Sequence, residues 1–157
     1  MKIFVILHNI RSLHNVGSIF RTAEGLGVKK IYLTGYTPEP YDVFGKIRKD
    51  FQKTALGAEK YISWEKQKNI FALIGRLKKE KIQIIALEQS KSSINLKKFK
   101  PLSKFALILG NEVSGISKSI LKQCDKVIEI SMRGKKESLN VSVAAGIAIY
   151  ELSTKFP

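Results

Sequence analysis

The stretch RGKKESLNVSVAAGIAIYEL, Arg133 to Leu152, joins a basic, glycine-containing loop to an almost wholly apolar segment through Ser138, Leu139 and Asn140. A helix entering a core needs only a cap, and Ser138 or Asn140 supplies one for the free amides of its first turn. A phosphate site needs only the loop, so the combination implies a ligand held between them. Beyond the triplet, Val141, Val143, Ala144, Ile147, Ala148, Ile149 and Leu152 cover much of the circumference of a helix expected from about Leu139 to Lys155. A helix that is apolar on several sides, in so small a chain, points to a subunit interface, and a homodimer is the expected assembly.

Working outward from that helix, short runs rich in Ile, Val, Leu, Phe and Tyr recur along the chain: 2–7, 29–35, 60–64, 81–88, 104–110 and 126–131. Several are apolar at successive positions, as strands of a parallel sheet covered on both faces are. Between the first two runs, Val16, Ile19, Phe20, Ala23 and Leu26 fall at helical spacing, with Gly25 and Gly27 at the expected end. A second helix is expected over 68–79, with Ile70, Phe71, Ile74 and Leu77 inward, and a short one over 118–123 capped by Ser117. Residues 37–50, with two prolines and no steady period, read as a partly basic surface loop able to touch substrate. The fold class is therefore α/β, a mostly parallel six-stranded sheet with helices on both faces, with ligands beyond the carboxyl ends of the strands.

The 157 residues, 44% of them hydrophobic, fit one domain spanning 1–157. Lys and Arg number 28 against 13 acidic residues, for a net charge of +15 spread along the chain. A polyanion is the expected partner, and nucleic acid leads, since phosphate neutralisation supplies most non-specific affinity. No amphipathic helix gathers Lys and Arg on one face, and no run approaches the ~18 apolar residues of a membrane span, so no membrane association is expected. The single Cys124 and two histidines leave no disulfide and no zinc spacing, so no metal is expected. Without a cleavage pattern after the short apolar run Ile3–Leu7, the expected location is the cytoplasm.

Three polar clusters follow strands. In the first, Asn15 is read as the N-cap of a helix, Gly17 allows close backbone approach, and Arg21 is placed to meet phosphate, with a surface ion pair to Glu24 as the plainer alternative. In the second, Gly110, Asn111, Glu112 and Gly115 form a turn whose exposed backbone suits a flat adenine or ribose. The third is the segment quoted above. The phosphate-loop pattern GxxxxGK[ST] and the dinucleotide pattern GxGxxG are both absent.

Together these clusters resemble the three motifs of the SpoU branch of the SPOUT class of RNA methyltransferases. Asn15, Gly17 and Arg21 match the first; Gly110, Asn111, Glu112 and Gly115 the second; Ile130, Met132, Gly134 and Ser138–Ser142 the third. Residues 53–65 also resemble the family, and 86–93 stand where its cofactor loop lies. One departure is Ser131, where the family often has proline before the motif-three methionine. The resemblance implies a C-terminal deep trefoil knot, and transfer of a methyl group from S-adenosyl-L-methionine to a ribose 2′-hydroxyl of tRNA or rRNA. It implies cofactor contacts from Leu87, Gly110, Ile130, Met132, Ser138 and Leu139, and catalytic roles for Arg21, Asn15, Glu112, Ser138 and Asn140. The family assigns proton removal to the arginine. A guanidinium with a pKa above ~12 fits better as a phosphate ligand that stabilises the developing alkoxide. The alternatives are a non-catalytic RNA-binding module of the same fold and, as in other SPOUT branches, methylation of a base.

Overall fold

Consecutive apolar residues at positions such as 105–109 have to be covered from above and below, and the chain achieves this with one parallel sheet between two helical layers. The computed structural model describes residues 1–156. The elements run β1 (Lys2–His8), α1 (Leu13–Gly25), β2 (Lys30–Thr34), α2 (Lys49–Ala55), β3 (Ser63–Lys66), α3 (Ile70–Lys79), β4 (Gln83–Leu87), β5 (Ile94–Asn95), β6 (Lys104–Leu109), α4 (Lys118–Leu121), β7 (Lys126–Glu129) and α5 (Val141–Ser153). The sheet order is β3-β2-β1-β6-β4-β7-β5, and every pairing is parallel.

The sheet therefore has seven strands, where the sequence predicts six. The seventh, β5, pairs only Ile94 with Ile128 and Asn95 with Glu129. Two residues in a polar surrounding carry no periodicity to read. Asn95 Nδ2 also donates to Ser131 Oγ at 2.7 Å, so the serine that replaces the family's usual proline helps anchor this edge.

One layer packs α1, α2 and α5 on the sheet through Ile19, Phe20, Phe51, Ala145, Ile149 and Leu152. The other packs α3 and α4 through Leu73, Ile74, Leu77 and Ile120. Within α3 the expected inward Phe71 is 48% exposed, and Leu73 takes its place in the core. The short α2 is not expected from the sequence, and its first two residues fall in the segment 37–50 read as loop. Its amphipathic signal consists of Phe51 and Ala55 alone, one turn apart and both buried. The run at 60–64 shifts to 63–66, because Ala58–Lys60 forms a 3₁₀ turn before β3.

The first helix starts earlier than expected. Ser12, not Asn15, is its N-cap, its Oγ accepting from Asn15 N at 3.2 Å. Asn15 thus lies inside the first turn with its carboxamide free for other partners. Gly17 does permit close approach, but to α2: a Cβ there would lie 2.5 Å from Phe51 O and would strike Thr54 Oγ1.

Candidate functional site

All strands point the same way, so the ends of β4, β6 and β7 gather at one edge of the sheet, and the start of α5 closes over them. Between them lies a cavity of about 190 Å³. Leu87, Glu88 and Gln89 enter it after β4; Gly110, Asn111, Glu112 and Gly115 after β6; Glu129, Ile130 and Met132 after β7; Ser138, Leu139, Val141 and Ala144 from the approach to α5. All six residues predicted to touch a cofactor are in that lining.

The glycines are there for steric reasons. A Cβ on Gly110 would lie 2.5 Å from Ile116 Cγ1 and 2.8 Å from the Gly115 carbonyl, so any side chain would force open the turn that closes the cavity. Gly115 has φ +66 and presses on the Glu88 carboxylate, where a side chain has no room. Glu88 is fixed by accepting from Ile116 N and Gln89 N, each at 2.9 Å. Gln89 Nε2 in turn donates to Glu137 O at 2.7 Å, tying the loop after β4 to the segment ahead of α5.

Three of the predicted catalytic residues are hydrogen-bonded in series. Asn140 Nδ2 donates to Asn15 Oδ1 at 3.1 Å, and Asn15 Nδ2 donates to Glu112 Oε1 at 3.3 Å. Asn140 simultaneously caps α5, its Oδ1 accepting from Ser142 N at 2.9 Å and Val143 N at 3.4 Å. One side chain thus caps the helix and reaches the first motif as well. Glu112 also accepts from Arg11 N at 3.1 Å and Ser12 N at 3.2 Å, which locks the loop after β6 onto the start of α1. Burial pushes its carboxyl up, but these amides and the Asn15 side chain outweigh that and hold it below the ordinary value. A carboxylate so saturated with donors orders the loop and is a poor proton acceptor.

Ser138 lines the cavity directly. Arg21 does not. It is exposed on α1 and lines an open groove with Ser18, Thr22, Gly25, Leu26, Lys53 and Thr54. Its Cα lies about 9 Å beyond that of Asn15 along the helix. Among the described residues it forms no ion pair with Glu24 or any other carboxylate. Glu88 and Glu129 add carboxylates to the same lining as Glu112. Sequence reasoning reached Glu88 only as part of 86–93, the expected cofactor loop, and missed Glu129, whose one signal was its position at the end of a strand. Ser93 Oγ donates to Glu129 Oε2 at 2.6 Å.

The remaining titratable groups near these motifs fit structural roles. His8 shares a 2.9 Å hydrogen bond between Nδ1 and Thr34 Oγ1, and burial lowers its pKa. His14 lies 3.4 Å from Asp50 on the surface. Among the described residues no group of His, Cys, Asp and Glu has the arrangement of a metal site, and no helix is long and apolar enough to cross a membrane.

Comparison with known proteins follows this geometry. The profile of the SpoU rRNA Methylase family matches residues 2–150. A tRNA (guanosine(18)-2′-O)-methyltransferase from Aquifex aeolicus (strain VF5) is 34% identical over 149 residues, covering 95% of this chain and 67% of that protein. A 23S rRNA (guanosine-2′-O-)-methyltransferase RlmB from Coxiella burnetii is 29% identical, and the chain spans 57% of its length. The crystal structure of the A. aeolicus TrmH/SpoU tRNA modifying enzyme superposes with a TM-score of 0.84 at 32% identity, covering 98% of this chain and 75% of that one. The SpoU methyltransferase AviRb from Streptomyces viridochromogenes, solved in complex with the cofactor AdoMet, shares the fold with a TM-score of 0.87 at 21% identity, over 98% of this chain and 60% of that one.

Proposed function

The chain belongs to the SpoU rRNA methylase family, and from that premise we propose that it transfers a methyl group from S-adenosyl-L-methionine to a ribose 2′-hydroxyl of tRNA or rRNA. The observation that carries this reading is the Asn140–Asn15–Glu112 series, which joins three motifs far apart in sequence beside one cavity.

The cavity suits the cofactor. Leu87, Ile130, Met132 and Leu139 provide apolar walls for a flat adenine, and Gly110 leaves backbone groups open to its edge. Glu88, Glu112 and Glu129 give a chain of net charge +15 a locally acidic pocket, matched to a cation. When bound, S-adenosylmethionine supplies an electrophilic methyl group on a positively charged sulfur. The protein's own task is positioning. In this proposal Asn140, Asn15 and Ser138 orient the ribose, and Glu112 holds the two halves of the site in register. Arg21, with Lys53 beside it, binds a neighbouring phosphate and stabilises negative charge as the hydroxyl loses its proton.

The same proposal includes a homodimer, a cytoplasmic location, a single domain over 1–157 and the C-terminal trefoil knot. The homodimer is supported by an exposed apolar stripe on α5, Val143, Ile147 and Tyr150, spaced at one-turn intervals on a helix otherwise packed into the core. The knot is proposed from membership of the family, whose profile matches residues 2–150.

The test combines calorimetry with S-adenosylmethionine and tritiated methyl transfer to total tRNA and to rRNA, followed by nucleoside digestion to separate ribose from base products. Arg21→Ala is expected to abolish transfer while leaving cofactor affinity nearly intact. Absence of cofactor binding at millimolar concentration would favour the non-catalytic RNA-binding module.

A further inference from the structure

Tyr36 follows Gly35 at the end of β2; the turn that carries it is held from several directions, while the residue remains 58% exposed. Its N–H donates to Asn9 Oδ1 at 3.1 Å, and its phenol oxygen accepts from Asn111 Nδ2 at 2.9 Å. The carbonyls on either side, of Gly35 and Thr37, both accept from Lys66 Nζ, at 2.8 and 2.6 Å. Thr37 is buried and pinned in turn, donating through Oγ1 to Leu7 O at 2.8 Å and accepting from Ile10 N at 3.0 Å. Gly35 has φ +60, and a side chain there would strike the Asn9 carboxamide. The turn that carries the ring is thus fixed at every backbone position around it.

The ring itself serves neither core cluster and pairs with no other aromatic among the described residues. Its hydroxyl points at Asn111, a cavity residue whose Oδ1 orders the same loop by accepting from Val113 N and Ser114 N. Tyr36 is thus tied through its hydroxyl to the loop that lines the cavity, while more than half of the residue is exposed. Two exposed cationic residues lie on adjoining segments. Lys68 O accepts from Gly35 N at 3.1 Å, and Arg11 N bonds the carboxylate of Glu112, the neighbour of Asn111; neither side chain has an ion-pair partner among the described residues.

Resting on the methyltransferase reading, we propose that Tyr36 is the surface on which a nucleobase of the substrate RNA stacks, at or beside the nucleotide whose ribose enters the cavity. An exposed aromatic on a pinned turn, in a chain of net charge +15 with unpaired Arg11 and Lys68 on adjoining segments, matches the chemistry of an unpaired nucleotide, a flat π-face carried on a phosphate chain. Bases in an A-form duplex are already stacked on one another, so the substrate presents this nucleotide in a loop, bulge or single strand. Stacking tolerates any base, and the platform selects an unstacked conformation more than a sequence. The hydroxyl's bond to Asn111 couples the RNA platform to the loop that lines the cofactor cavity.

The test compares Tyr36→Leu with Tyr36→Phe. Three quantities are read: anisotropy of a labelled single-stranded RNA oligonucleotide of mixed sequence, KM and kcat on total tRNA and rRNA, and cofactor affinity by calorimetry. Loss of the π-face in Tyr36→Leu is expected to weaken oligonucleotide binding and raise KM for RNA by roughly 5- to 100-fold, with cofactor affinity unchanged. Tyr36→Phe keeps the face and is expected to stay within about twofold of the native protein. Native-like RNA binding by Tyr36→Leu overturns the proposal. So does a Tyr36→Phe defect as large as that of Tyr36→Leu, which would make the hydroxyl the working group. A native protein that discriminates in the binding assay but transfers no methyl group would remove the enzymatic reading and leave the platform standing.

Discussion

Replacing Asn140 separates its two jobs. Alanine removes both. Loss of the cap on α5 costs about 1 kcal/mol, and loss of the 3.1 Å bond to Asn15, between accessible groups, costs no more than about 1 kcal/mol. The total, about 1–2 kcal/mol, lowers Tm by roughly 2–8 °C for a chain of this length. Aspartate keeps the cap, since a carboxylate accepts from Ser142 N and Val143 N as the carboxamide does. It also gains from the helix N-terminus, by about 0.3–1 kcal/mol. It cannot donate to Asn15. Nor can Asn15 turn its amide round to compensate, because that would set its Oδ1 against the Glu112 carboxylate it now donates to. Asn140→Asp is therefore expected to melt within about 2 °C of the native protein yet lose methyl transfer by about 100-fold, the scale of an ångström-level misplacement. Thermal denaturation followed by circular dichroism and tritiated methyl transfer measure the two effects separately. Native turnover by Asn140→Asp would confine the residue to capping and dissolve the catalytic series.

Gly17→Ala sets a methyl group against the Phe51 carbonyl and Thr54 Oγ1, backbone and a short side chain that cannot swing aside; we expect a loss of about 1–3 kcal/mol in urea unfolding, and an unchanged midpoint would refute the close α1–α2 contact. Burial pushes the Cys124 thiol up to about 11, and its Sγ lies 3.3 Å from Ile120 O, so labelling by iodoacetamide at pH 8 should be slow in the folded protein and fast in urea. Rapid labelling of the native state would place the thiol in solvent. Because the Glu112 carboxyl titrates below its ordinary 4.5 in the fold, the unfolded chain binds more protons between the two values. Its contribution to stability is then present above pH 4.5 and is lost as pH falls through the folded value. Glu112→Gln should flatten that part of the stability profile, and an unaltered acid limb would show that other groups carry it.

The central strands were legible because burial on two faces leaves no room for alternation: Ile84, Ile85 and Ala86, and Phe105 through Leu109, are all enclosed. The same physics hides β5 and α2, whose few inward residues are too short a sample to show a period. Asn15 was misread as a cap because Ser12 and Asn15 are both capping residue types three positions apart, and only the fold decides which carboxamide is needed elsewhere. The residues proposed for the cofactor were picked out through motif resemblance, and their convergence on one cavity is not a property of any local pattern. Arg21 shows the limit most plainly. Linear spacing placed it near Asn15, but helix geometry carries it further along α1 into a separate groove. Glu129 carries no motif and Glu88 stood out only as part of 86–93; the parallel direction of β4 and β7 brings them together.

In the proposed reaction a chain of net charge +15 would hold a cation and a polyanion in adjoining places, and the hydrogen bonding of its carboxylates bears on how the two fields are kept apart. The carboxylates of Asp50, Glu65, Asp125 and Glu151 are each neutralised by a cationic side chain. Those around the cavity are held otherwise. Glu88 accepts from two backbone amides, Glu112 from two amides and a carboxamide, and Glu129 from a hydroxyl. Among the described residues none of the three has a Lys or Arg partner. Neutral donors orient a carboxylate and can keep it ionised without cancelling its charge, whereas an ion pair would remove the field a bound cation needs. The placement of Arg21 outside the cavity then has an electrostatic sense: a guanidinium inside the acidic lining would pair with it, while in its own groove it stays free for phosphate.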